Sequence, residues 1–548
     1  MTPSKEQEAA IRERGRFALI ACPGSGKTFT VAERLARRIT EWDQPKAGIA
    51  ALSFTNVAHQ QIAQQLANHG IKILRNSTHY LGTLDSFINR WIFLPFGPYV
   101  MDCRTRPTII GLDGLKWDVG KLLQRNAHPD CHGCNLVDFT YDPDRDGELV
   151  LASKKTRIRK NCPHNKYYCK ALKAKVTAKG YASQTDAAYW ALRVLLEFPD
   201  IGRALAKRFP EIIIDEAQDT SEAQMRVLDR LCELGLTELM LVGDPDQAIF
   251  EWRDAKPEIL MAKTQGSLGW GQPLSLRENR RSSQIICNTI IGFSQCRCDG
   301  MRAVGDHCNS TILPLLIEYS PSNLGALVDA LRSACNCYGL PVSPTTAAIL
   351  VRGNDLLKQI LGFADGLDDW KEPWKDNASS LVARAAFRFS HDQDIGRSMS
   401  LLEHALARIC FKDRHFTESE LRALVCEKIG ERQWRSGLYA LLKHLPPTDL
   451  ALRDWVIQTS NLLVTRLVSL GWPVPNSKRC SIEHKKRLPG VRGLAQLPVT
   501  SFFRQSTATT DDITVETIHA AKGKTYEAVL YVVSPGQKKG SSGKRVPG

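Results

Sequence analysis

The chain has 548 residues, and at roughly 150 residues per domain that length holds three or four domains with separate hydrophobic cores. Hydrophobic residues make up 43% and charged residues 24%, close to globular averages, and no apolar run approaches the ~18 residues needed to cross a bilayer, so a soluble chain with no membrane partner is expected. Lys plus Arg number 73 against 58 Asp plus Glu, and the net +15 makes a polyanion the natural partner class. The opening MTPSKEQEAAIRERGRF mixes charges of both signs without the apolar segment of a secretory signal, which predicts a cytoplasmic protein. The 16 cysteines are scattered, and in a reducing compartment most read as buried thiols.

The first informative stretch runs from Phe17 to Thr28, FALIACPGSGKT, and leads into the helix-compatible TFTVAERLARRI. A short apolar run, a Gly-rich turn and a helix predict a strand, a phosphate-binding loop and the helix that follows it. Pro23, Gly24, Ser25 and Gly26 form the loop, whose backbone N–H groups and helix N-terminus hold phosphates. Lys27 reaches the outer phosphates and the Thr28 hydroxyl binds Mg²⁺, so ATP and Mg are the expected cofactors. Ala21 stands where the general GxxxxGK[ST] pattern has its first glycine.

Farther on, Leu149 to Thr185 holds ten Lys or Arg and no Asp or Glu, two thirds of the net charge in one short segment. With Tyr167 and Tyr168 interleaved, it offers cations and stacking faces to a nucleic-acid backbone; a solvated basic face is the alternative. Cys131-His-Gly-Cys134 and, after 27 intervening residues, Cys162 and Cys169 are two pairs that can complete a tetrahedral zinc site, with His164 a competing fourth ligand. An iron–sulfur cluster and free thiols are the other readings of the same four cysteines.

At Glu211 to Asp219, EIIIDEAQD, three β-branched residues precede adjacent acids at a strand's C-terminal end. Asp215 is placed to hold Mg²⁺ through water and Glu216 to orient the attacking water as general base, a feature of hydrolases rather than kinases. The segment Val242 to Arg253 reads VGDPDQAIFEWR.

With Asp215-Glu-Ala-Gln-Asp219 and Val242 to Arg253 in hand, the chain resembles the UvrD/Rep group of superfamily 1 DNA helicases, and Ala21 is the residue common there. The resemblance implies that Gln7 reads adenine, that Ala51-Leu-Ser-Phe-Thr55-Asn56 and Gly82-Thr83-Leu-Asp-Ser-Phe87 contact the DNA backbone, and that Asp85 replaces the family's usual His. It makes Gln247 the sensor of the γ-phosphate and Phe250 and Trp252 the aromatics on which single-stranded bases stack, each worth ~1–3 kcal/mol whatever the sequence. Leu276-Arg-Glu-Asn-Arg-Arg-Ser-Ser283 resembles the family's Asn-Tyr-Arg-Ser motif, which makes Arg281 an arginine finger and puts Arg280 where an aromatic stacks on adenine. Thr514 to Tyr526, TVETIHAAKGKTY, resembles the motif that bridges DNA and nucleotide, through Thr517, His519, Lys522 and Gly523; Lys524-Thr525 replaces its Leu-Glu pair.

The implied fold is α/β, with two RecA-like P-loop NTPase cores that each carry a largely helical insertion. Residues 1–91 and 198–271 make the first core, and 92–197 its insertion with the cysteine cluster and basic run. Residues 272–365 and 511–548 make the second core, and 366–510 its helical insertion. The family's last motif, with a second arginine, is expected after the Ala528–Val533 strand. Ser534 to Gly548 has linker chemistry instead, which predicts a truncated C-terminus and slow hydrolysis.

The implied function is an ATP-dependent helicase moving 3′→5′ on single-stranded DNA, with single-stranded and tailed duplex DNA as partners, in repair, recombination or phage defence. The competing reading is a nucleotide- and DNA-sensing subunit that gates a protein partner such as a nuclease, as in Gabija-type defence systems. A P-loop kinase is disfavoured by Glu216 and by the Gln247 segment.

Overall fold

The computed structural model describes residues 2–54, 56–73, 77–110, 139–142, 148–151, 168–249, 256–265, 269–294, 300–320, 323–360, 373–411, 424–469, 472, 480–488, 493–503, 507–509 and 512–533. The chain divides into two compact units, Met1–Leu315 and Leu316–Gly548.

The first unit is built on a parallel sheet of six strands: β1 (Arg16–Ala21), β2 (Ile49–Ser53), β3 (Tyr80–Thr83), β4 (Glu211–Ile214), β5 (Glu238–Gly243) and β6 (Leu274–Leu276), in the order β6-β1-β5-β4-β2-β3. Both faces of such a sheet must be covered, and the period of two sorts each strand between two cores. Ala18, Ala50, Leu52, Ile212, Ile214, Leu239 and Leu241 enter one. Phe17, Leu19, Ala21, Ile49, Ala51, Ile213, Met240 and Val242 enter the other. Helix α1 (Lys5–Arg12) opens with a reciprocal cap between Ser4 and Gln7, and α2 (Lys27–Thr40) follows the loop after β1. Buried Arg34 on α2 donates to Glu211 Oε1 (3.0 Å) and to the carbonyl of Ala10 (3.1 Å), so one ion pair ties α2 to α1 and β4. Glu211 also pairs with Arg38 at 2.6 Å, so loss of Arg34 leaves the carboxylate a partner and costs less than the ~3–5 kcal/mol of a stranded buried charge.

Among the described residues between β3 and β4 lie helices and two small sheets, Thr108–Ile110 with Tyr181–Ser183 and Phe139–Asp142 with Glu148–Leu151. The helix Gln184–Glu197 puts Ala187, Ala191, Val194 and Leu195 into the first core. Strand β6 pairs with β1, so the stretch just after residue 272 lies in the first unit.

The second unit carries β7 (Ala347–Val351), β8 (Thr507–Thr509), β9 (Thr514–Thr517) and β10 (Ala528–Val532), in the order β8-β9-β7-β10, parallel except for β8. Ala347, Ile349, Val351, Val515 and Val532 pack on Leu327, Leu331 and Cys335 of the helix Ala326–Cys337. Helices Asn377–Phe387, Ile395–Phe411, Glu431–His444 and Leu452–Ser469 fall between β7 and β8, with Trp434 and Trp455 fully buried among them. No helix among the described residues is long and apolar enough to cross a membrane.

Candidate active site

All six strands of the first sheet run the same way, so the residues that follow them collect at one edge, the usual ligand-binding edge of an open parallel sheet. The loop after β1 turns through two left-handed glycines, Gly24 at φ 71° and Gly26 at φ 80°, the second directly preceding α2. Added Cβ atoms would settle what each position tolerates. At Gly24 a Cβ would lie 2.7 Å from both Asn279 Oδ1 and Arg281 Cβ; at Gly26 it would lie 2.9 Å from Gln7 Nε2. Ser25 Oγ donates back to the Cys22 carbonyl at 2.7 Å, and Arg280 N–H donates to the Gly24 carbonyl at 2.9 Å. The loop is therefore held open from both sides as a cradle of backbone, and its residues fit a bound phosphate chain.

Gln7 is one of those supports. It is buried, its Nε2 donates to the Ser25 carbonyl at 3.0 Å, and its Oε1 accepts from Ser4 N–H at 2.9 Å. Gly24→Ala should place a β-carbon where neither Asn279 nor Arg281 can give way, in a backbone conformation that costs ~1–3 kcal/mol for a non-glycine residue. Nucleotide affinity is expected to fall by about 10-fold or more with the fold retained. Calorimetric titration with Mg·ADP beside a circular-dichroism melt checks this.

Asp215 follows β4 and is fully buried. Its Oδ2 accepts from Thr28 Oγ1 at 3.0 Å and its Oδ1 from Glu216 N–H at 2.9 Å. Burial, and then the neighbouring Glu216 charge, push the Asp215 carboxyl up to about 7. A buried carboxylate with a hydroxyl already beside it is a donor set that fits Mg²⁺. Lys27, nearly buried, has its Nζ 3.9 Å from Oδ2 of Asp244, which follows β5. Burial raises the Asp244 pKa as well. Gln247 Nε2 donates to Asp244 Oδ2 at 2.6 Å.

Glu216 adopts φ 57°, left-handed for a residue with a side chain. Such strain persists where surrounding contacts over-determine it, often at reactive positions. Arg281 keeps an accessible side chain. Protein packed around its guanidinium draws its pKa down, and the Glu216 carboxylate opposes that shift. Buried Asn279 holds this arginine in place, its Oδ1 accepting from the N–H groups of Arg281 and Ser282, both at 2.8 Å. Arg280 turns to Glu278, at 3.2 Å.

Other expected residues lie elsewhere in the two units. Thr83, which ends β3, caps the helix Leu84–Ile88 through Ser86 N–H, and Asp85 accepts from Gln224 Nε2 at 2.6 Å. In the second unit Thr517 ends β9 and caps Ile518–Ala521, the short helix that carries His519, with Gly523 at φ 85° beyond it. Buried Glu516 binds Lys524 and Tyr526, so the cation in place of the family's leucine has an internal partner. Thr55, Phe250, Trp252, Cys131, Cys134 and Cys162 lie outside the described residues, as do the side chains of Asn56 and Cys169. Among the described residues no group of His, Cys, Asp or Glu is arranged to hold a metal ion by itself.

Gln218, Asp244 and Asn279 fall inside the motifs, but sequence reasoning gives them no role. Their signal is position, since each falls within three residues of an expected site residue, but what each holds is set by tertiary contacts.

A model of the UvrD/REP helicase N-terminal domain matches residues 3–98 and 135–266. The chain is 26% identical over 294 residues to DNA helicase II of Escherichia coli (strain K12), covering 52% of this chain and 38% of that protein. It is 26% identical over 288 residues to the ATP-dependent DNA helicase UvrD1 of Mycobacterium leprae, covering 45% and 34%. With the exonuclease/helicase subunit RexA of Lactococcus lactis it shares 36% identity over 107 residues, 19% of this chain and 9% of that one. The matched stretches thus span well under half the length of these relatives.

Proposed function

We propose that the chain, whose first unit matches the UvrD/REP helicase N-terminal domain, is a UvrD-like superfamily 1 helicase: an ATP-dependent DNA helicase and translocase moving 3′→5′ along single-stranded DNA. The observation that carries this reading is the convergence of Lys27, Thr28, Asp215, Glu216, Gln247 and Arg281 at one edge of the first sheet. Binding residues alone would suit a nucleotide sensor, whereas a strained carboxylate with an arginine beside it suits hydrolysis.

In this reading both sheets are RecA-like cores. Pro23, Gly24, Ser25 and Gly26 wrap the phosphates of ATP, Lys27 leaves Asp244 for the outer phosphates, and Glu216 takes a proton from the attacking water. Gln247 and Arg281 face the γ-phosphate, while Gln7, Arg280 and Gly523 serve the rest of the nucleotide. Thr28 and Asp215 hold Mg²⁺, which when bound neutralises charge on the phosphates. Thr55, Asn56, Thr83, Phe250, Trp252, Thr517 and His519 carry the strand by backbone contacts and stacking. Cys131, Cys134, Cys162 and Cys169 bind one structural zinc beside the basic run, and tailed duplex DNA is the substrate.

The test is strand separation of 3′- and 5′-tailed duplexes with ATP and with a non-hydrolysable analogue. ATP-dependent opening of the 3′-tailed duplex is expected. Opening from the 5′ tail overturns the polarity, and ATP binding without opening of either overturns the helicase in favour of a subunit that gates a partner such as a nuclease.

The Asp215 carboxyl supplies a separate prediction. Its pKa in the folded chain lies above the ~3.9 of an unfolded one, so the folded state binds the proton more tightly. The Asp215 contribution to metal-free stability is then fully present below pH ~4 and is lost as pH rises through about 7. Asp215→Asn removes that penalty. In EDTA at pH 8 the variant should melt above the wild type, by about 2–4 °C per kcal/mol relieved, and the gap should close toward pH 4.

A further inference from the structure

We propose that Gln218 is a positioning residue that holds the Glu216 carboxylate and the Asp244–Gln247 turn in one register, so that a single buried amide sets both water activation and phosphate contact. The proposal rests on the roles given above to Glu216 and Gln247.

Gln218 lies in the short turn Ala217–Asp219 and is fully buried. Its Nε2 donates to Glu216 Oε2 at 2.5 Å, with a second, long contact to Asp219 Oδ2 at 3.5 Å. Its Oε1 accepts from the backbone N–H of Asp244 at 3.1 Å. Asp244 continues the chain: Oδ2 accepts from Gln247 Nε2 at 2.6 Å and Oδ1 accepts from Asp246 N–H at 3.1 Å. The path from the carboxylate after β4 to the amide after β5 therefore runs through one side chain.

The chemistry of the two ends selects an amide. An ionised carboxylate only accepts and a backbone N–H only donates, so the bridging group must donate at one end and accept at the other. Glu at 218 would face Glu216 with a second negative charge. Leu or Met would leave a buried N–H without its acceptor and free the Glu216 carboxylate to turn. The path also has a steric requirement in its neighbour: a Cβ at Gly243 would fall 2.7 Å from Gln218 Oε1 and 2.6 Å from Leu260. The last residue of β5 leaves room for the amide because it has no side chain.

The experiment measures DNA-stimulated ATP turnover and Mg·ADP affinity of the full chain for wild type, Gln218→Met, Gln218→Leu and Glu216→Gln, and for each Gln218 variant combined with Glu216→Gln. Gln218→Met is expected to lower kcat by roughly 10–100-fold, the effect of one lost buried hydrogen bond to a charged group. Mg·ADP affinity should stay within about threefold, because the phosphate cradle is untouched. In the Glu216→Gln background the same change should lower single-turnover rates by clearly less than it does in wild type, since only the Asp244–Gln247 turn is then left for Gln218 to position.

A loss of affinity parallel to the loss of kcat, with a lowered melting temperature, would overturn the proposal in favour of a packing role. Full effects in both backgrounds would overturn it too, as would unchanged kcat in Gln218→Met. If the Gln218 variants fail to fold, Gly243→Ala tests the same contact by displacing the amide, and normal kcat there overturns the coupling. A Glu216→Gln variant with full turnover, or an inactive wild type, would instead overturn the reading of the site on which the proposal stands.

Discussion

Arg281→Ala is expected to lower ATP turnover by ~10³–10⁵-fold, the range over which an arginine at the transferring phosphoryl group acts. The expectation comes from where the structure puts the residue. Arg281 follows β6, the edge strand paired with β1, and its Cβ lies against the space a Gly24 side chain would fill. Asn279 fixes its backbone, and Glu216 is the carboxylate that acts on its charge. A guanidinium held there meets the developing negative charge without reorganising, which favours the transition state over the ground state. Nucleotide affinity should therefore change far less than kcat. Lys in place of Arg should recover little, because an ammonium lacks the planar fork of donors. Steady-state turnover with saturating single strand, beside Mg·ADP titration, separates the two effects; equal losses in both would assign Arg281 to binding alone.

Glu216→Gln should lower turnover by ~10²–10⁴-fold, the contribution of a positioned general base, while leaving nucleotide bound. The amide keeps the volume and can still bond to Gln218, so the strained turn at φ 57° should survive the change. Removing the charge also relieves the neighbour that helps push Asp215 upward, so Mg²⁺ should meet an Asp215 that ionises more readily. The expected signature is a trapped Mg·ATP complex with binding as tight as wild type or tighter. Lys27→Ala provides the contrast, since it removes a phosphate contact and should weaken binding itself. Full DNA-stimulated hydrolysis by Glu216→Gln would remove that residue from the role of base.

The amino-acid sequence by itself determined the parts of this protein that are written in consecutive residues. The run FALIA, the turn PGSGK and the helix after them specify strand, cradle and helix because their preferences are local, and β1, Gly24, Gly26 and α2 follow them. EIII ahead of Asp215 and Glu216 is legible for the same reason: β-branched residues buried on both faces make a central parallel strand, and polar residues can begin where it ends. The likeness of short motifs to one helicase family came from the same stretches.

Tertiary structure decided what separate stretches do to one another. Nothing near Leu274 in the sequence says that its strand extends the first sheet beside β1, and that pairing brings Arg281 to a loop some 250 residues earlier. The resemblance turns Gln7 toward adenine, and only the structure shows its amide also supporting the Ser25 carbonyl. Gln218 looks like a spacer between acids, and its link to Asp244 exists because β4 and β5 are neighbours in the sheet. The burial that raises Asp215 and Asp244 likewise depends on walls supplied by distant segments. Local propensity can choose an element and its ends, but register, burial and the partners of a polar side chain are set by non-local contacts, which no window of sequence contains.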